Sequence, residues 1–139
     1  MVDRVSKEIR SKIMRAIRQK DTKPELLVRR LVTALGYRYR LHKKDLPGRP
    51  DLVFPGKKKV IFVHGCFWHV HEGCHLSHIP ESEFWRHKLG ANQERDRKTL
   101  LLLRELGWDV LILWECELQN EAASREKLLG FLCSLTEKP

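Results

Sequence analysis

The sequence predicts an α/β fold in which a central mixed sheet is flanked by helices. Three observations lead there. Amphipathic helical patterns fill the first third, two apolar segments (PDLVF at 50–54 and VIFV at 60–63) are joined by a Pro-Gly turn, and a third apolar segment (VLILW at 110–114) lies between two later helical stretches. That order, helix, helix, strands, helix, strand, helix, suits a sheet covered by helices.

Each element has a local reason. Ser6 opens a helical pattern with Ile9, Ile13, Ala16 and Ile17 on one side, Lys and Arg on the other, and Met14 at the border. Thr22-Lys23-Pro24-Glu25 fits a capping box with Pro in the first turn; the helix it opens carries Leu27, Leu31 and Leu35 and stops at Gly36. YRYRL at 37–41 reads as a strand. The turn-rich stretch KKDLPGR leads into PDLVF, Pro55-Gly56 reverses the chain, and VIFV returns as a buried strand. Helical pattern resumes at 83–89, is expected to break at Gly90, restarts near Asn92 and ends at Gly107. VLILW follows as a strand, and a last amphipathic helix covers 121–135, with Cys133 expected in its apolar face.

At 139 residues the chain is expected to form one domain, 1–139, with an ordinary hydrophobic core. No apolar run reaches the roughly 18–20 residues that span a bilayer. The opening MVDRVSKEIR lacks the apolar centre of a signal peptide, which predicts an intracellular protein, and four cysteines beside seven histidines then point to metal before disulfides. Charge is lopsided. Residues 1–49 hold 15 Lys and Arg against 5 Asp and Glu, whereas 50–139 hold 12 against 13. A basic third without a lipid-facing stripe predicts a nucleic-acid partner and no membrane contact.

The stretch VHGCFWHVHEGCHLSH, residues 63–78, concentrates the chemistry. A tetrahedral zinc site takes Cys and His at short spacings plus a closing ligand from elsewhere. Cys66, a histidine and Cys74 supply three, with His71 favoured by spacing over His69, His75 and His78. Cys116, in the WEC triplet, supplies the fourth if its strand lies beside residues 60–63. Asp51 enters a strand opposite one that ends in His64, a place for a hard cation such as Mg²⁺, although a turn or ion pair also accounts for it. Glu25 is explained by the capping box alone. His69, if left free of zinc, is a candidate general base, and His64 a group that orients water. Phe67 and Trp68 in the loop, with Trp85 close behind, fit either packing or a wedge that unstacks bases.

TKPE (22–25), GRPDLVF (48–54), IFVHGCFWH (61–69), FW (84–85), ERDR (94–97) and GWDVLILWEC (107–116) together resemble the very-short-patch-repair (Vsr) mismatch endonucleases, in order along nearly the whole chain. The resemblance implies a restriction-endonuclease-like core and a Mg²⁺-dependent nick on one strand of double-stranded DNA. The nick falls 5′ of the thymine in a T:G mismatch left by 5-methylcytosine deamination. It implies Asp51 as the metal-binding aspartate, helped by the Val63 backbone, His69 as general base, and Glu25 and His64 as groups bonded to the metal's waters. It implies Cys66, His71, Cys74 and Cys116 as ligands of a structural Zn²⁺. Phe67, Trp68 and Trp85 stand as the intercalating wedge, Met14 in a basic arm (1–20) as a minor-groove contact, and Lys88 and Asn92 as further DNA contacts. A monomer in the bacterial cytoplasm, nucleoid-associated and handing its nick to repair proteins, is the implied setting. Val63 stands where best-known members carry threonine, and Glu72-Gly73 adds one residue to the loop. Two other readings accompany this one: a zinc-stabilised mismatch-binding protein that does not cut, and a restriction-type or broader-specificity mismatch nuclease.

Overall fold

A computed structural model describes residues 22–41, 43, 45–74 and 80–134. The expected arm at 1–20, with Met14, and the histidines at 75 and 78 lie outside the described residues. The elements are helix α1 (Lys23–Ala34), strands β1 (Leu52–Phe54) and β2 (Lys59–His64), helix α2 (Glu83–Glu105), strand β3 (Asp109–Trp114) and helix α3 (Glu121–Cys133). The sheet order is β1-β2-β3, with β1 antiparallel to β2 and β2 parallel to β3, so the expected mixed sheet is present.

Alternation along the strands builds two cores. Leu52, Phe54, Ile61, Val63 and Leu113 face Val28, Leu31 and Val32 of α1 and Leu128 and Leu132 of α3. Val53, Val60, Phe62 and Ile112 face the other way, against Leu103 of α2 and Leu46 of the incoming loop. Each fully buried aliphatic side chain contributes roughly 1.5–3 kcal/mol. Gly48 lets the loop press against α2: at φ 74, a Cβ here would lie 2.3 Å from the Thr99 methyl. The close approach delivers Asp51 to the sheet.

Four local expectations change. Residues 37–41 do not form a strand; Arg40 makes a single antiparallel bridge to Val53. Tyr37, Tyr39 and Leu41 still pack on the first core, so the alternation reports burial without a ladder. Gly90 does not interrupt α2, because it lies on an exposed face where a Cβ would meet nothing, and a glycine there costs only about 1 kcal/mol. Cys133 is exposed, its Sγ 3.1 Å from the Tyr37 hydroxyl, and so is not core packing. The last helix closes at Cys133, two residues early.

The reason for that close is a lysine. Lys59, at the start of β2, is 1% exposed, and its ammonium donates to the carbonyls of Phe131 and Ser134 and to Ser134 Oγ at 2.8 Å. A cation on the last carbonyls of a helix satisfies groups that have no intrahelical partner and complements the helix dipole. Burial lowers the pKa of this ammonium. Replacing Lys59 by Met is therefore predicted to destabilise the fold by about 0.5–1.5 kcal/mol, read by denaturant melting, because the helix-end carbonyls of Phe131 and Ser134 lose this donor; an unchanged midpoint would contradict the clamp.

Candidate active site and metal centre

All the described chemistry-bearing residues gather at one end of the sheet, and the pairing dictates it. β1 begins where the antiparallel β2 ends, and the parallel β3 ends beside it, with His64 opposite Trp114. His64, two residues after Phe62, continues a side-chain row on the α2 side of the sheet, and Asp51 immediately precedes β1 at the same end.

Asp51 is held at both ends: its N–H donates to Ile61 O at 3.0 Å, and its Oδ2 accepts the Val63 N–H at 2.6 Å. Glu25 reaches it from α1. Thr22 caps the helix, the Glu25 N–H donating to its Oγ1 at 3.4 Å, and this turn carries the Glu25 side chain inward, where it is 4% exposed and 3.5 Å from Arg29. Burial first, and then the neighbouring Glu25 carboxylate, push Asp51 up to about 7, against the pull of the Val63 amide and Arg29. A buried aspartate with the Glu25 carboxylate beside it suits a hard cation, whose charge would stabilise the ionised form of Asp51. The donor set fits magnesium chemistry.

The histidines lie at the same end of the sheet, where β2 closes at His64. His64 and His69 are stacked, ring centroids 3.8 Å apart and planes 5° from parallel. His69 Nδ1 lies 2.6 Å from Asp96 Oδ2, which leaves Nε2 as the free ring nitrogen. Buried His64 is pushed down to about 4, by burial and then by His69, and is neutral at physiological pH; its Nδ1 has no hydrogen-bond partner among the described residues. His64, His69 and Asp96 bring ligand atoms within 4.8 Å of one another. They do not form a metal cage as they stand, because an ion bound to two imidazoles must lie in both ring planes and stacked planes do not meet. Asp96 escaped the sequence reading: in ERDR, within a charged helix, it looks like a solvated face.

A second cluster lies past β2. Cys66, His71, Cys74 and Cys116 place their ligand atoms within 4.8 Å of one another. His71 Nδ1 is 3.5 Å from Cys66 Sγ and 3.4 Å from Cys116 Sγ. Bond lengths of ~2.3 Å to sulfur and ~2.0 Å to nitrogen give tetrahedral edges of about 3.5 Å, so the set fits a four-coordinate ion. Cys116 arrives because β3 does pair with β2. His71 is the histidine that turns to the sulfurs, stacked on Trp114 at 4.1 Å, while His69 turns to Asp96. Burial, followed by the neighbouring thiols, pushes Cys66 up to about 12; a coordinating cation reverses that preference. Between the two histidines Val70 adopts φ 52, a conformation that costs a non-glycine residue roughly 1–2 kcal/mol.

The aromatics form their own partly exposed cluster. Phe67 meets Trp68 at 5.1 Å and Trp85 at 5.4 Å, and Trp68 meets Trp85 at 5.7 Å. Asn92 is buried and donates Nδ2 to Trp68 O at 3.0 Å, with Arg95 on its Oδ1, so its amide holds the aromatic loop. Lys88 lines an open cleft of about 500 Å³ with Glu83, Phe84 and His87.

Comparison with known proteins decides the family. The model of a family described as "DNA mismatch endonuclease Vsr" matches residues 2–76, and the chain is 48% identical over 140 residues to the DNA mismatch endonuclease Vsr of Escherichia coli K12. The chain belongs to the Vsr family. That alignment covers 96% of this chain and 89% of the relative. Two further relatives are the type II nicking enzymes V.XorIIP of Xanthomonas oryzae pv. oryzae and V.NmeAIP of Neisseria meningitidis serogroup A. V.XorIIP is 46% identical over 95% of this chain and 98% of the relative, and V.NmeAIP 45% over 92% of each.

For this Vsr-family chain, the Asp51 environment sets a pH signature. Folded Asp51 holds its proton up to about pH 7, whereas its ordinary value is 3.8, so its contribution to stability falls as pH rises from about 4 to about 7. His64 acts in the opposite sense, losing stability as pH falls from 6.5 toward 4. With magnesium omitted, the melting temperature of Asp51→Asn minus that of the parent is predicted to grow across pH 4 to 7; a constant difference would refute the raised pKa of Asp51.

Proposed function

We propose that this protein is a Mg²⁺-dependent, strand-specific DNA endonuclease that nicks 5′ of the thymine at T:G mismatches arising from 5-methylcytosine deamination, opening very-short-patch repair. The observation that carries this reading is the Asp96–His69 pair, stacked on neutral His64 at the sheet end where Asp51 and Glu25 meet. Family membership supports it: one relative is named a DNA mismatch endonuclease and others type II nicking enzymes.

In this reading the chain's own groups divide the work. Asp96 holds the Nδ1–H of His69, so Nε2 is the lone pair that takes a proton from water as its oxygen attacks phosphorus and the bond to the leaving sugar oxygen breaks. His64 lies against the face of that ring and fixes its tilt. Asp51 would hold magnesium, with Glu25 and the Val63 backbone beside it; when bound, the ion supplies Lewis-acid stabilisation of the phosphoryl charge. Cys66, His71, Cys74 and Cys116 would hold zinc in a structural role. Phe67, Trp68 and Trp85 enter the weak mismatch step, with Lys88 contacting DNA and Asn92 steadying the wedge. The basic arm at 1–20, including Met14, adds phosphate and minor-groove contacts, which makes affinity salt-dependent. The scaffold is read as one restriction-endonuclease-like domain over 1–139, monomeric on an asymmetric substrate, in the bacterial cytoplasm at the nucleoid, its nick passed to repair proteins.

Val63 does not favour a non-cutting binder. Its side chain lies in the apolar core with Leu113, and its backbone is the part that meets Asp51, so a hydroxyl at this position would face packing. The test is a labelled duplex carrying one T:G pair beside a fully paired control. Nicking of the mismatched duplex alone is expected, abolished in Asp51→Ala with mismatch binding kept, and lowered about 10²–10⁴-fold in His69→Gln. Mismatch binding without a nick would favour the binding module, and equal cutting of the control the restriction-type reading.

A further inference from the structure

Residues 65–71 form one helical turn, with His69 N–H donating to Gly65 O at 3.1 Å. It closes by the paired bonds that end a helix on a left-handed residue. His71 N–H donates to Cys66 O at 3.0 Å and Val70 N–H to Phe67 O at 3.4 Å, with Val70 in the left-handed seat. Two other turns in this chain close the same way. Helix α1 ends with Tyr37 N–H on Val32 O and Gly36 N–H on Thr33 O, and α2 with Trp108 N–H on Leu103 O and Gly107 N–H on Arg104 O. Both place glycine in the seat, at φ 87 and 88. Among the described residues Arg49 and Lys58 also have positive φ, but neither is branched at Cβ. Among the described residues only the site loop puts a β-branched residue there, where the conformation is most disfavoured.

The seat lies between two histidines sent in different directions. His69 is drawn to Asp96 and His64, and His71 to Cys66 and Cys116. Left-handed backbone at residue 70 lets neighbours separated by one residue serve two sites. We propose that Val70 is a positioning residue that makes the placement of His69 depend on the Cys/His cluster: the strained turn stands while His71 is held by the sulfurs and their ion, and relaxes when that hold is released. Glycine would leave the turn standing by itself and uncouple the two sites. This deepens the proposed function, since it rests on His69 being the base.

The experiment measures Zn²⁺ affinity of the full chain by chelator competition for the parent, Val70→Gly, Val70→Asn and Val70→Ala. In parallel, the His69 Nδ1–H resonance is followed by NMR before and after metal removal. Glycine and asparagine accept the left-handed seat and alanine does not. Because binding then no longer has to impose the strain, Val70→Gly and Val70→Asn are expected to bind zinc about five-fold more tightly or better, with Val70→Ala within two-fold of the parent. On metal removal the parent is expected to lose the His69 resonance and Val70→Gly to retain it. Equal affinities with raised melting temperatures would show static strain without coupling and overturn the proposal, as would equal affinities with unchanged melting. These readouts do not involve cutting, so a wrong assignment of the base would appear separately, as full nicking by His69→Gln.

Discussion

The parallel pairing of β2 with β3 is the constraint on which the rest depends. It sets His64 opposite Trp114 and so delivers Cys116, two residues farther on, to Cys66 and His71, which leave β2 at the same height. Without that register the loop after β2 would be tied to the sheet only at its start. With it, the loop is fastened at both ends, and every group it carries inherits a fixed position relative to Asp51.

The loop then gives each side chain a different neighbour. His71 stacks on Trp114 and faces the sulfurs, His69 faces Asp96, and Phe67 and Trp68 meet Trp85 across the gap to α2. Long, uninterrupted α2 makes this possible, because one rigid rod supplies Trp85, Lys88, Asn92 and Asp96 at successive turns. Electrostatics follow from burial: Asp51 is driven toward its protonated form and His64 toward its neutral form. In the proposed mechanism, misplacing His69 by about 1 Å would cost on the order of 100-fold in rate.

Most of this architecture was legible in the residues, and the exceptions have physical causes. The hairpin and the third strand follow from apolar patterning, and the grouping of Cys66, Cys74 and Cys116 with a histidine from spacing and strand order; which histidine joins them needed the structure, where it is His71. Gly90 misled because a helix supported on both sides tolerates one exposed glycine. Residues 37–41 misled because alternating burial is shared by strands and by extended segments lying on a core. Cys133 is exposed where core packing was expected, and apolar periodicity does not reveal that Lys59 is drawn under a helix end. Asp96 is hidden by its charged neighbours, and the backbone angle of Val70 leaves no trace in its identity.

X-ray absorption at the zinc edge on the purified chain shows whether one ion clamps the loop to the end of β3. One zinc per chain is expected in a shell of three sulfurs and one nitrogen, unchanged in Cys133→Ser and short of one sulfur in Cys116→Ser. A native shell that survives Cys116→Ser intact, or a purified chain that binds no metal, would contradict that clamp.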